Sequence, residues 1–181
     1  MDALDMLTNR RSVRKFTDKE VPHEVIEKIV ETARMAPSWK NTQTARFTAV
    51  YDQDIKKKIA EEGTLGFVQN TATINASPVL IVETTVGKRS GYERDGSFTT
   101  AKGTHWESFD AGIAAQTFCL AAYEQGLGTI IMGYFDEDMI KELLGIDDED
   151  MRVSAIIGLG YPAEEPVAPP RKDVEKLLTF V

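Results

Sequence analysis

Arg10-Arg11-Ser12-Val13-Arg14 puts three guanidinium groups and a hydroxyl within five residues of a chain whose formal net charge is −8. Arg suits bidentate pairing with phosphate or a delocalised oxyanion. In extended backbone alternate side chains point the same way, so Arg10, Ser12 and Arg14 share one face. That face is a cradle for an anionic ligand, with cationic forks around a hydroxyl donor. The competing reading is a solvated basic turn paired with surface carboxylates, and the cluster alone does not separate the two.

Working outward, residues 2–9 (DALDMLTN) read as a short helix before the cluster. Pro22 opens a second helix at a tolerated first-turn position, with Val25, Ile26, Ile29, Val30 and Ala33 at the spacing of a buried face. Pro37 ends it, residues 38–43 form a polar loop, and residues 47–51 form a strand. Residues 53–62 are helical and stop at Gly63; residues 64–76 read as a loop entering a short helix. The run PVLIVETT (78–85) is the clearest strand, apolar enough to be buried on both faces. Residues 87–103 contain four glycines and form a flap or active-site loop. Residues 107–125 are the longest helix, apolar on nearly every side and rich in alanines that permit close approach of another helix. A short strand at 129–132 stops at Gly133, Asp136 and Gly145 bound a further helix, and RVSAIIGLG (152–160) is the last core strand. Beyond it, Pro162, Pro166, Pro169 and Pro170 force an extended crossing of the surface. The final segment needs a partner to bury Leu177, Leu178 and Phe180. Strands and helices alternate too irregularly for a doubly wound sheet, so the expected class is α+β, one domain over residues 1–181.

Several functions are excluded by composition and spacing. A sequence pI near 4.9 argues against a nucleic-acid surface. No stretch approaches the ~20 apolar residues of a membrane span, and the N-terminus lacks a signal-peptide core, so a cytoplasmic setting is expected. His23 and His105 are not at ligand spacing from each other or from Cys119, so no metal site is expected. Cys119 lies in an apolar run and reads as a buried, inert thiol. Gly158-x-Gly160-x-x-Ala163 follows a strand but meets Pro162 where a dinucleotide-binding helix should start. Glu107 and Asp110 open the long helix, where dipole compensation is their ordinary role. His105-Trp106 borders the glycine-rich loop and is a candidate substrate contact.

Three separated stretches resemble the FMN-dependent nitroreductase family. They are Arg10-Arg11-Ser12-Val13-Arg14-Lys15-Phe16, Ala36-Pro37-Ser38-Trp39-Lys40-Asn41-Thr42-Gln43, and Gly158-Leu159-Gly160-Tyr161-Pro162-Ala163 continuing to Pro169-Pro170-Arg171-Lys172. Gly126-Leu127-Gly128-Thr129 and Met132-Gly133 match in place and order. The resemblance implies a mainly antiparallel central sheet flanked by helices, and a homodimer with an exchanged C-terminal arm and FMN at the subunit interface. It implies that Arg10, Arg11 and Ser12 contact the FMN phosphate and ribityl chain, with Arg171 and less directly Lys172 clamping the phosphate. Arg14 would lie near the N1/O2 edge of the flavin, and Ile131, Met132 and Gly133 beside N5. Pro37, Ser38, Asn41 and Gln43 would approach from the partner subunit, and Gln69 or Asn70 would reach the pyrimidine edge. The chain departs from the pattern at Trp39-Lys40, where a small residue often follows the serine, at Thr44, which stands for a common proline, and at Met132, which is acidic in some members.

The implied activity is NAD(P)H-dependent reduction of nitroaromatics, quinones or similar electron-poor acceptors by ping-pong alternation. Either NADH or NADPH would serve as donor. The cofactor carries the chemistry, so no indispensable side-chain acid or base is expected. Alternatives within the resemblance are reductive dehalogenation or fragmentation of the flavin; a flavin-binding module without turnover is a third.

Overall fold

The computed structural model describes residues 2–181. Helix α1 (Ala3–Asn9) is capped by the Asp2 carboxylate, which accepts from Asp5 N. Helix α2 (His23–Ala33) follows Pro22 and buries Ile26, Ile29 and Ala33, and strand β1 spans Ala45–Val50. Helix α3 (Gln53–Glu61) is capped by Asp52, helix α4 covers Val68–Ala76, and strand β2 is Val79–Val86. The twenty-residue helix α5 (His105–Glu124) leads to strand β3 (Gly128–Met132). Helix α6 (Glu137–Leu144) runs from an Asp136 cap to Gly145 in left-handed conformation, and strand β4 is Met151–Gly160.

The four strands form one antiparallel sheet in the order β1-β2-β4-β3, as the α+β reading expects. Strand β2 is central, and both its faces are buried. Val79 and Ile81 face a core shared with Ile29, Phe118, Leu127, Ile157 and Leu159, under α2 and α5. Leu80 and Val82 face the opposite core with Ile59, Ile74, Ile140 and Ile156, under α3, α4 and α6. This period-two division explains why the run reads as continuously apolar. Glu83 continues the α5 side of that alternation; it is fully buried, and its register is followed by a bulge before Thr84.

Helix α5, apolar on nearly every side, is not buried on every side. Ala111, Ala114, Ala115, Phe118, Cys119 and Ala122 are inside, but Phe109 is 54% exposed on a face shared with Gly112 and Gln116. The proline tail is extended, as its composition dictates. Only the short 3-10 turn Val174–Lys176 interrupts it, and Leu177, Leu178 and Phe180 lie open. Among the described residues no helix is long and apolar enough to cross a membrane.

Candidate active site

The arginine strand is fixed beside β3 by a short ladder. Ser12 bridges Thr129 in parallel, and Val13 N donates to Thr129 O at 3.0 Å. Further on, Thr17 N donates to Tyr161 O at 2.9 Å and Ala163 N to Lys15 O at 2.9 Å. The Glu164 carboxylate accepts from Arg14 N and Lys15 N at 2.9 and 3.2 Å. Gly128 and Gly160 are glycines because of close packing. A Cβ on Gly128 would sit 2.7 Å from Val13 Cβ, and one on Gly160 2.5 Å from Pro78 Cδ.

Alternation along this strand divides its side chains. Val13 is buried, while Arg10, Ser12 and Arg14, together with Arg11, line a cavity of about 140 Å³ roofed by the proline tail. The tail lines it with Pro166, Val167 and Pro169, and Arg171 joins the same cavity. Four arginines line it, the Arg11 guanidinium also donating to Thr8 O and Arg10 O, and among the described residues no carboxylate lines it. None of the four has a carboxylate at ion-pair distance among the described residues. In a chain of net charge −8, positive charge of this density without an ion-pair partner makes a local field that attracts anions.

Arg14 also lines a second cavity of about 380 Å³, with Phe67, Gln69, Asn70, Ile131, Met132 and Gly133 among its walls. Arg14 is the one charged residue there. Asn70 is nearly buried and donates from Nδ2 to Tyr134 O at 3.2 Å, and the Phe67 and Tyr134 rings meet at 5.4 Å. A Cβ on Gly133 would meet nothing within 4 Å, so the end of β3 faces open space. Both Gln69 and Asn70, which sequence comparison could not choose between, belong to this cavity. Phe67 and Tyr134 carried no signal in the sequence.

The third predicted group lies elsewhere. Pro37, Ser38 and Gln43 line a separate cavity of about 500 Å³ with Arg46 and Asp110; Asn41 is exposed beside it. Within one chain the structure therefore gathers the arginines with the end of β3, and does not gather them with the 37–43 loop. That loop is under strain. Lys40, Asn41 and Gln43 all have positive φ, at 45°, 56° and 51°, a region costly for side-chain-bearing residues. Ser38 Oγ accepts from Gln43 N at 2.9 Å. Asp110, buried on α5, accepts at a single oxygen, Oδ2, from Trp39 N at 2.9 Å and Ser90 Oγ at 2.7 Å. The Trp39 ring leans on Trp106, one turn before Asp110, with centroids 4.5 Å apart. Asp110 is thus a tether between two loops as well as a helix-start charge. Glu107 does similar work, accepting from Lys88 N at 2.6 Å.

The 87–103 segment is better ordered than a glycine-rich flap would suggest. Tyr92 and Phe98 form a bridge with their rings tilted against each other at 4.9 Å, and Trp106 Nε1 donates to Thr100 Oγ1 at 2.8 Å. Gly91 must be glycine, since a Cβ would lie 2.8 to 2.9 Å from the Trp106 side chain and from Gly103 O. His105 is exposed and Trp106 is occupied in packing.

A further cavity of about 680 Å³ has Glu83 among its walls. Both Glu83 oxygens are buried without a hydrogen-bond partner, and desolvation pushes the carboxyl up to about 8. Glu107, Glu137, Glu149 and Asp150 also line it, while its cations Lys88 and Arg152 are already paired with Asp150 and Glu137. Such a cavity repels phosphate. Burial raises the Cys119 thiol as well, so it is protonated and unreactive at neutral pH.

The nitroreductase family model matches residues 7–70 and 67–161. The chain belongs to the nitroreductase family. Among its relatives is a Methanothermobacter thermautotrophicus protein provisionally named an NADH dehydrogenase/NAD(P)H nitroreductase, 35% identical over 92% of this chain and 80% of the relative. A Bacillus subtilis protein named FMN reductase [NAD(P)H] is 30% identical over 94% of this chain and 70% of its own length. In fold, the chain is similar to a nitroreductase family protein from Streptococcus pneumoniae, with a TM-score of 0.87 at 21% identity over 99% of this chain and 100% of the other. An Exiguobacterium sibiricum structure, described as a nitroreductase in complex with FMN, has a TM-score of 0.86 at 18% identity over 100% of this chain and 98% of that one.

Proposed function

We propose that this nitroreductase family chain is an FMN-dependent NAD(P)H oxidoreductase. It acts as one cytoplasmic domain over residues 1–181 within a homodimer, and reduces nitroaromatics, quinones or similar electron-poor acceptors by ping-pong alternation. The observation that carries this reading is the pair of cavities sharing Arg14. One is lined by four arginines without an ion-pair partner; the other has Arg14 as its single charge, is partly aromatic and is open at Gly133. A phosphate joined to a flat heteroaromatic ring fits that division of charge.

In this reading Arg10, Arg11 and Arg171 hold the phosphate, with Ser12 as hydroxyl donor. Bound there, FMN supplies the redox chemistry, accepting reducing equivalents from a nicotinamide donor and passing them to the acceptor. Arg14 stabilises the negative charge that reduction adds to the ring system, an effect that grows as water is excluded. Ile131, Met132 and Gly133, with Gln69 and Asn70, would wall the ring of the bound cofactor.

The homodimer reading follows from what one chain leaves unfinished. Pro37, Ser38, Asn41 and Gln43 stand apart from the arginine cavity, so a second copy must bring them to it. The exposed face of α5 around Phe109 and Gly112, and the open Leu177, Leu178 and Phe180, are the apolar surfaces such a copy would cover.

The visible spectrum of the purified protein tests the proposal. Flavin absorption, bleached anaerobically by NADH or NADPH and restored by menadione or a nitrobenzoate, is expected. A colourless protein that does not take up added FMN would overturn it. Dehalogenation of a halotyrosine, or breakdown of the flavin itself, would redirect the assignment within the family.

A further inference from the structure

We propose that Asp110 is a positioning residue for the flavin site: its carboxylate sets the 38–43 loop in the shape that lets Ser38, Asn41 and Gln43 reach the cofactor. The inference rests on the FMN reading above and extends it to a residue that need not touch the flavin.

The argument begins with the strain of the loop. Three of its residues sit at positive φ without being glycine, and such backbone persists only where its surroundings over-determine it. Within the loop, Asn41 N donates to Ser38 O, Thr42 N to Trp39 O and Gln43 N to Ser38 Oγ, and Arg46 Nη1 on β1 donates to Gln43 O. The other anchors come from α5. Trp39 N donates to Asp110 Oδ2, and the Trp39 ring rests on Trp106 four residues earlier on the same helix. The helix therefore grips the loop at two points one turn apart. Ser90 Oγ donates to the same oxygen, and the Lys40 ammonium lies 3.3 Å from the Glu93 carboxylate. The loop is thereby clasped between α5 and the 87–103 segment.

Both hydrogen bonds to Asp110 end on one oxygen. The second oxygen is not required for the geometry, so an amide in its place keeps both bonds. Charge and placement can therefore be separated by substitution. Asp110→Asn retains an acceptor oxygen where Trp39 N needs it. Asp110→Glu retains the charge but displaces the oxygens by a methylene, with the neighbouring 500 Å³ cavity to take up the added length. Asp110→Ala removes the acceptor.

The test compares these variants with the wild type as full-length protein. Two quantities are measured: hydrogen exchange at the Trp39 amide without flavin, and FMN affinity by fluorescence titration. Leaving the Trp39 N–H without its buried acceptor should weaken FMN binding about tenfold in Asp110→Ala and Asp110→Glu. Exchange at Trp39 should accelerate by a similar factor in both, while Asp110→Asn stays close to wild type. Asp110→Glu covers the case in which Asp110→Ala does not fold. Ser90→Ala removes the other bond to the same oxygen and should leave Trp39 protected, which separates placement from general destabilisation. Wild-type affinity and Trp39 protection in Asp110→Glu would overturn the proposal, as would loss of both in Asp110→Asn. A wild type that binds no FMN would instead sink the cofactor reading, while Trp39 exchange would still report on the tether.

Discussion

Replacing Glu83 with Gln should remove most of a pH-dependent loss of stability built into the centre of the sheet. Glu83 lies on β2 with no exposed surface, and neither oxygen has a donor. Its cavity neighbours on α5 and β4 include Ala111, Gly112, Ala115 and Ala155, which offer no side-chain hydrogen bond. Burial raises its carboxyl from 4.5 to about 8 in the folded protein. The sign follows from proton counting. Between these values the folded state holds a proton that the unfolded state has released, so stability falls as pH rises. Each pH unit in this window costs about 1.4 kcal/mol. Relative to acid conditions, roughly 3 kcal/mol is gone at pH 7 and about 5 kcal/mol above pH 8. Against a total stability of about 5–15 kcal/mol for a typical domain, that is a large share. The assay is urea unfolding of wild type and Glu83→Gln at closely spaced pH values from 5 to 9, at one protein concentration because assembly also shifts stability. The difference between the two should grow in favour of the variant by several kcal/mol across that range. Parallel curves would refute the reasoning, because they would mean that a donor or cation meets the Glu83 carboxylate in the assembled protein.

Arg14→Ala should weaken FMN binding and slow flavin bleaching by NADH, since Arg14 is the one charge common to both cavities; a fully flavin-loaded, fully active variant would contradict the site. Gly128→Ala should cost about 1–3 kcal/mol of stability by overpacking and should also reduce FMN affinity, because its methyl would push against Val13 and shift the arginine strand; unchanged urea midpoint and affinity would show that the strand yields freely. Removing residues 173–181 deletes Leu177, Leu178 and Phe180 and should turn a dimer into a monomer in sedimentation equilibrium, a change that an arm packed only on its own chain would not produce.

The parts legible in the sequence share a physical property: each is written in residues adjacent in the chain. The run VLIV in β2 fills both cores by simple alternation. Asp136 and Gly145 bound α6 because a side-chain acceptor and a left-handed residue are local requirements. The proline tail could take no course but an extended one. The arginine cluster stood out because its charge opposes that of the whole chain, and the fold then supplied Arg171 from the far end.

What stayed hidden depends on partners distant in sequence. The apolar pattern of α5 gives too little contrast to say which side is left open, so the exposure of Phe109 follows only from what the sheet and α2 already cover. Asp110 is a second case. At the sixth position of a helix a carboxylate reads as dipole compensation, and its donors come from 71 and 20 residues away. The 38–43 loop shows the same limit from the other side. Its polar letters announce a loop, but three positive φ angles in four residues would be an unfavourable shape for the peptide alone. A loop that cannot hold its own conformation must be held by a scaffold, and the scaffold here is the buried helix α5. This gives α5 two duties with opposite demands. Small side chains let it pack closely against the sheet, while Trp106 and Asp110 near its start carry size and charge to grip the loop. Substitutions in the alanine stretch should therefore act on stability, and substitutions in the first two turns on the flavin site.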